Sequence, residues 1–493
     1  MIQAYIWKMK GIMTMLKKIL ALLLVLVMVV AVVGCAEKKR EPITITLSTE
    51  DAEAILAAAG IMLPDASEVS VAQGTIVKYY GYNNMLQNYS EDEMVQTGYW
   101  TFREKYQCDI EWVECSWDER FTYLANLILS GDNPDFYDAW VTDFPMYSLN
   151  GVFAPVDDYI DYSDPLWEGM KYYADNYFTL GGHHYMFVTD VQSNTLVVYN
   201  RRVFDEWGFD DPAELFYNNE WTWNEMLDMA LDFSDPDEGR YAFNSWGTDA
   251  ALFSSTGTDI VSYDIESGRF VSNIDDPRLE RAATMLLEFQ KNECEFPMWA
   301  NGWSLNYDID AGGMKEGMTL FGMAGCYIID ERRNVEEMEA VFGDVTNEEI
   351  MICPVPRDPN GDGEYYIDSK PKGYCLIMGA RNPEAVGLLA SCDRFKIIDP
   401  TVINFDKKQL KEKKGWTDEM LDMWDAMYEI AHSHNTFAQY GGGLGSAGDY
   451  TDRMINFNRN GGEDSWAQRK EAYKDTMQYY LDELNAQIDA LGN

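Results

Sequence analysis

The sequence is poor in the residues that mark metal sites, disulfide scaffolds and nucleic-acid binders. It has only 4 histidines, at His183-His184 and His432-x-His434, and neighbours or i, i+2 pairs on a helix do not face one way. A metal site built on them is not expected. The 8 cysteines include no CxxC pair and leave an odd number once Cys35 is set apart, so neither a zinc ribbon nor a complete disulfide framework is indicated. Cys108 and Cys115 lie near the two ends of one predicted strand, about 23 Å apart and beyond disulfide reach. Most of the thiols are therefore expected to be buried and free. Lysine and arginine number 38 against 83 aspartates and glutamates, a formal charge of −45. Such a field repels nucleic acid and disfavours anionic ligands unless a local basic pocket overrides it. GxSxG, HExxH and a phosphate loop are missing, as are internal repeats. Beyond residue 34 no apolar run approaches the roughly 20 residues that span a membrane.

What is present begins with a signal. Lys17 and Lys18 precede 15 apolar residues, Ile19 to Val33, near the upper limit for a signal-peptide core and short of a spanning helix. Val32-Val33-Gly34-Cys35 resembles the bacterial lipobox, in which the cysteine is lipidated and becomes the mature N-terminus. Residues 1–34 thus read as a signal peptide with its true start at Met15; an uncleaved signal-anchor is the competing reading. Several fatty chains on Cys35, at about 0.8 kcal/mol per buried CH₂, would hold the protein on the outer face of the cell membrane.

The whole chain is 46% hydrophobic and 14% aromatic, enough apolar side chain for two ordinary domains after the tether. Residues 35–74 read as a spacer with one helix, Thr49 to Ala59, closed by Gly60 and serving to stand the body off the membrane. Strands follow at Thr75 to Tyr80, Asp109 to Cys115 and Phe136 to Trp140. Helices opened by the capping boxes Ser90-x-x-Glu93 and Ser116-x-x-Glu119 alternate with them. This alternation implies right-handed crossovers and a largely parallel sheet, whose ligands sit beyond the carboxyl ends of the strands. Gly81-Tyr82-Asn83-Asn84 and Trp140 through Phe144 occupy those ends. A second region starts near Asn194, with a strand Leu196 to Tyr199, a capping box Thr222-x-x-Glu225 and a helix Pro277 to Lys291. From Asp399 onward the chain is mainly helical, ending in a helix from about Ser465 to Leu491.

The segments "LILSGDNPDFYDAW", "GVFAPVDDYI", "VVYNRRVFDEWGFDDP…WTWNEML", "NIDDPRLERAATMLLEF", "GMAGCYII", "CPVPRDPNG" and "GYCLIMGARNPEA" resemble the successive signatures of family 1 extracellular solute-binding proteins, the sugar receptors of bacterial ABC importers. The resemblance covers about residues 75 to 485. It implies a two-lobed, type II periplasmic-binding-protein-like α/β fold with ligand trapped between the lobes. Carried over by segment, lobe one is 75–190 plus 322–371 and lobe two is 191–321 plus 372–493. The crossovers then fall near Thr189 to Ser193, Leu320 to Met323 and Pro371 to Tyr374. It implies a monomeric receptor that is not an enzyme, needs no cofactor, takes a neutral sugar or oligosaccharide, and delivers it to the permease subunits of an ABC importer.

A sugar presents hydroxyls that donate and accept, and a weakly apolar C–H face; carboxylates and amides take the first, aromatic plates cover the second. The chain has 15 Trp and 31 Tyr, many beside Asp or Asn. Trp140 with Asp143 lies where related receptors carry a stacking aromatic and a sugar-binding acid, though Trp140 could equally plug the core. Tyr82 and Asn83 stand in the first strand's exit loop. Asp190, Glu331 and Arg332 are expected as polar contacts or, alternatively, as solvated salt bridges. Trp246, Trp303 and Tyr374 are the aromatic candidates of lobe two, and Tyr199-Asn200 reads as structural. Asp358-x-Asn360-x-Asp362-Gly363 matches the first half of a calcium loop, but Ser369 stands where the bidentate Glu belongs, so an acidic turn is expected. The rival reading is a secreted glycosidase with two carboxylates flanking a glycosidic bond.

Overall fold

Short apolar strands alternating with helices build, among the described residues, two larger sheets, with two two-stranded ribbons beside them. The computed structural model describes residues 47–84, 94–138, 143–244, 247–297, 313–330, 332, 334–437, 443–456 and 464–491. The expected calls at Cys35, Trp140, Trp246, Trp303 and Glu331 lie outside these described residues, as does the capping box at Ser90.

In chain order the strands of the two sheets are β1 Ile76–Gly81, β2 Asp109–Glu114, β3 Phe136–Asp138, β4 Phe153–Ala154, β5 Phe187–Ser193 and β6 Thr195–Asn200. They continue with β7 Tyr241–Phe243, β8 Thr319–Gly325, β9 Ile350–Cys353, β10 Ile367–Ile377 and β11 Asn435–Thr436. The helices used below are α1 Thr49–Met62, α2 Thr97–Tyr106, α3 Arg120–Ser130, α4 Met170–Tyr177, α5 Thr248–Ser254 and α6 Pro277–Lys291. After them come α7 Pro383–Ile398, α8 Pro400–Lys414, α9 Asp418–Ser433, α10 Ser446–Ile455 and α11 Trp466–Leu491.

The first sheet has 7 strands in the order β11-β10-β3-β1-β2, with β4 and β5 also pairing with β10. Its β1, β2 and β3 run parallel, as the strand and helix alternation requires, with Gly81 opposite Glu114 and Tyr80 opposite Tyr137. The second sheet has 4 strands in the order β9-β6-β8-β7. Every residue of β6 is buried, the pattern of a central strand covered on both faces. Phe321 of β8 stacks on Phe243 of β7 at 5.6 Å between centroids, and Trp221 closes on the same ring at 5.9 Å. Each such side chain contributes roughly 2–3 kcal/mol when taken out of water.

The chain passes between the sheets where β5 ends and β6 begins, with Asn194 alone between them. It returns between Cys353 and Ile367, and passes a third time after Thr436. The first passage falls one residue beyond the expected crossover. The other two do not match: Leu320 to Met323 is the middle of β8, and Pro371 to Tyr374 lies inside β10 of the first sheet. Residues 322–353 therefore go with the second sheet, where β8 and β9 both pair with β6, and 372–398 go with the first, where α7 packs on α2 and β5. Strand identity is readable from local pattern, but partner choice rests on long-range pairing.

The spacer also differs from expectation. α1 runs through Gly60 to Met62, buries Ile55 and Ala59, and packs on α2 and α8. Lys105 donates to the Ala59 carbonyl at 3.1 Å and the Tyr106 hydroxyl to that of Pro64 at 2.8 Å. The segment is part of the body, which runs from Ile45 onward as one unit. Among the described residues no helix is long and apolar enough to cross a membrane.

Candidate functional site

Because β1 and β2 are parallel neighbours, their carboxyl ends open side by side, and α3 begins directly beyond them. Glu119, Thr122, Tyr123 and Asn126 are spaced i, i+3, i+4, i+7 and so share one face. Phe121, Leu124, Leu127 and Ile128 turn to the core instead. The polar face of α3 and the two strand ends border an open cavity of about 660 Å³, lined by Tyr82, Glu114, Ser116, Thr122, Tyr123 and Asn126 among others. This is within the size range of small-molecule sites. Tyr82 and Tyr123 are 55% and 43% exposed, more than a packing role needs.

Beside the cavity stands Trp117, 39% exposed, with its ring edge-on to Tyr82 at 6.2 Å. Its face carries the Arg120 guanidinium, 3.8 Å from the ring centroid. Arg120 also donates to the Trp117 carbonyl at 2.6 Å, to the Tyr137 hydroxyl at 3.2 Å and to the buried Asp143 carboxylate at 3.1 Å. Burial disfavours the guanidinium charge, but Asp143 and Tyr137 outweigh it and hold Arg120 above its ordinary pKa. The result is an aromatic plate fixed by a cation that is itself fixed by a carboxylate. Hydroxyl, amide and carboxylate groups stand around it, a set that suits a polyol with one apolar face.

Of the expected residues, Tyr82 and Asn83 are exposed at the β1 exit, Tyr82 lining the cavity. Asp143 reaches the site through Arg120. Asp190 faces inward: the Tyr428 hydroxyl and the Gln192 amide donate to it, each at 2.8 Å, and burial raises its pKa. Arg332 donates to the Ile328 carbonyl at 3.2 Å. Tyr374 is buried in β10 of the first sheet, packed on Phe136 at 4.8 Å with its hydroxyl on Asp393, and not an aromatic of lobe two. Asn200 caps the helix after its strand, bonding the Arg202 amide at 2.9 Å, as a structural residue does.

Trp117, Arg120, Tyr123 and Asn126 were not anticipated. Their signal was the polar stripe at helical spacing opposite the apolar one, together with a tryptophan just after a strand end. On the second sheet, β7 and β8 run parallel and their carboxyl ends carry Asn244 and Tyr327. Asn244 is buried and its side-chain amide makes no hydrogen bond among the described residues, while Tyr327 is 41% exposed.

The calcium-like loop is a turn: Arg281 Nε donates to Asp358 at 2.7 Å and the Asn360 amide to its other oxygen at 2.9 Å, so the first ligand position is already taken. Among the described residues no group of three or more His, Cys, Asp or Glu side chains is placed to hold a metal. Cys108, Cys115, Cys294, Cys326, Cys353, Cys375 and Cys392 are buried and, among the described residues, form no disulfide; burial pushes the Cys294 thiol up to about 11.

Two α/β lobes exchanging the chain at a narrow seam, with ligand chemistry at the strand ends, define a substrate-binding-protein fold. Residues 83–293 match the family of bacterial extracellular solute-binding proteins. No curated protein matches the chain. An ABC substrate-binding protein from Listeria monocytogenes, solved with cycloalternan, is similar at 16% identity and a TM-score of 0.61, over 83% of this chain and 100% of that one. The GacH receptor of Streptomyces glaucescens, solved with acarbose, is similar at 15% identity and 0.58, over 83% and 99%. The galacto-N-biose-/lacto-N-biose I-binding protein of Bifidobacterium longum, solved with lacto-N-biose, is similar at 13% and 0.55, over 85% and 99%. The Listeria and Bifidobacterium proteins are binding proteins of ABC transport systems, and the Streptomyces protein is a receptor.

Proposed function

We propose that the protein is a lipid-anchored extracellular receptor that captures a neutral sugar or oligosaccharide and delivers it unaltered to the permease subunits of an ABC importer. The observation that carries this reading is the cavity beyond β1 and β2, where exposed Tyr82 and Tyr123 meet hydroxyl, amide and carboxylate groups. Closure of the second sheet over the first, about the seam at Asn194, would bury the ligand and signal the transporter. Cys35 is the anchor in this reading, and the receptor acts as a monomer.

A thermal-shift screen of the chain beginning after Cys35, with maltotetraose, cycloalternan, lacto-N-biose and D-mannitol, tests the proposal. A saturable rise in melting temperature with intact sugar recovered afterwards supports it. Cleaved glycan would identify a glycosidase instead, and no response across the panel removes the carbohydrate reading.

A further inference from the structure

A second polar group waits at the seam between the sheets. Asp259 lies between α5, which packs on β8 of the second sheet and β10 of the first, and the strand Val261–Asp264. One carboxylate oxygen, Oδ2, accepts the backbone N–H of Phe437 at 3.1 Å, and Phe437 follows β11 of the first sheet directly. Asp259 thus bridges the third passage of the chain. The other oxygen, Oδ1, is buried and receives no hydrogen bond among the described residues.

The surroundings of Asp259 are aromatic. The Tyr177 ring of α4 lies 4.5 Å from that of Phe437, and Tyr172, 53% exposed, stands 6.3 Å from Tyr177. These rings thus run from the surface to Phe437, whose backbone N–H the carboxylate accepts. An orphaned buried carboxylate oxygen is costly, because nothing replaces the water it has lost. Such groups persist where a ligand supplies the missing donor.

We propose that Asp259, with Tyr172, Tyr177 and Phe437, forms a polyol subsite at the seam, in which Oδ1 accepts a ligand hydroxyl. The inference rests on the sugar-receptor reading and extends it to contacts from both sides of the seam. A carboxylate placed here grips ligand only when the two sheets are held together, so it couples binding to closure.

The pH dependence of binding follows from the same placement. Burial pushes the Asp259 pKa up to about 7, and the Phe437 amide opposes this. The titratable groups facing it are Tyr177, with Tyr172 and Tyr173 behind; burial first, then Tyr172, and only then the Asp259 charge raise the pKa of Tyr177. A ligand hydroxyl that donates to Oδ1 favours the ionised form, so binding expels the proton. Affinity therefore rises with pH through about 7, by about tenfold between pH 6 and pH 8.

The test is calorimetric titration of the wild type, Asp259→Asn and Tyr82→Ala with the members of the carbohydrate panel that shift the melting temperature. Titrations are run at pH 6 and pH 8 in phosphate and in Tris. The wild type should release a proton on binding and bind about tenfold tighter at pH 8. Asp259→Asn should bind at least tenfold more weakly at pH 8 and lose both the proton release and the pH slope. Tyr82→Ala should weaken binding with the slope intact. A flat wild-type profile, proton uptake, or an Asp259→Asn protein altered only in the melting temperature of its empty form would overturn the subsite. No binding of any panel member by the wild type overturns the receptor reading, and this inference with it.

Discussion

The Arg120 guanidinium rests on the face of Trp117, 3.8 Å from the ring centroid, and is steered there by Asp143 at 3.1 Å from a terminal nitrogen. One carboxylate beyond β3 thereby sets the position of an aromatic plate beyond β2. The two strand exits act as one surface.

Trp117→Ala should separate binding from folding. The ring is 39% exposed, so its loss leaves the melting temperature of the empty protein within a few degrees. Removing a plate beside the cavity should cost at least tenfold in ligand affinity, measured by calorimetry. Unchanged affinity would place the ligand elsewhere.

Asp143→Ala should act on both. Asp143 is 1% exposed, and its removal leaves Arg120 with a largely buried, uncompensated charge. Breaking such a pair costs about 3 kcal/mol, visible in denaturant unfolding of the empty protein. Asp143→Asn, which keeps an acceptor oxygen for Arg120, should lose less.

Asn194 is the expected pivot. Its backbone N–H donates to the Asp368 carbonyl at 2.7 Å, its side-chain amide to the Asp368 carboxylate at 2.6 Å, and its own carbonyl accepts the Cys326 N–H at 2.9 Å. β8, β10 and the first passage therefore meet at one residue. Asn194→Ala deprives a buried carboxylate of a donor and should destabilise by roughly 1–3 kcal/mol. Small-angle scattering with and without ligand should show a smaller contraction than in the wild type.

Gly373 sits at a β-bulge where β10 shifts register against β5, with φ +143. A Cβ there would lie 1.7 Å from the Phe187 carbonyl oxygen. Gly373→Ala must displace backbone, not a flexible side chain, and should yield little folded protein in a solubility and circular-dichroism assay.

Acid should weaken the first sheet's flank. Burial raises the carboxyls of Asp157 and Asp175, but hydrogen bonds from His184, and from Lys171 to Asp175, outweigh it and hold both below the usual range. A depressed carboxylate adds stability above its unfolded pKa near 4, and that stability is lost as pH falls through the folded value. Both groups are partly exposed, so the effect is modest, well under about 1 kcal/mol each after screening. His184→Gln should flatten the fall in melting temperature between pH 5 and pH 3; an unaltered profile would refute this.

The parallel start of the first sheet was legible because period-2 apolar runs and capping signals are local: β1 and β2 fall within a residue of the expected strands, and α6 spans Pro277–Lys291 as expected. The exit of β1 was legible for the same reason, and it places Tyr82 at the cavity. The stripe from Glu119 to Asn126 was not legible because a helix face of mixed polarity reads, in sequence, the same as an ordinary solvated face. Tyr374 was misplaced because its strand was assigned to the wrong sheet.

Composition and local pattern by themselves determined the class: alternating strands and helices of an α/β body, buried thiols, and a charge that turns away nucleic acid. These follow from properties each segment carries alone. Only the tertiary structure decided which strands share a sheet, that Arg120 is held on Trp117, that the spacer helix packs on α2 and α8, and that Asp259 closes on Phe437. Each of those joins residues far apart in the chain, and no periodicity encodes which of several apolar strands or buried charges will be neighbours; packing and hydrogen-bond satisfaction choose among them.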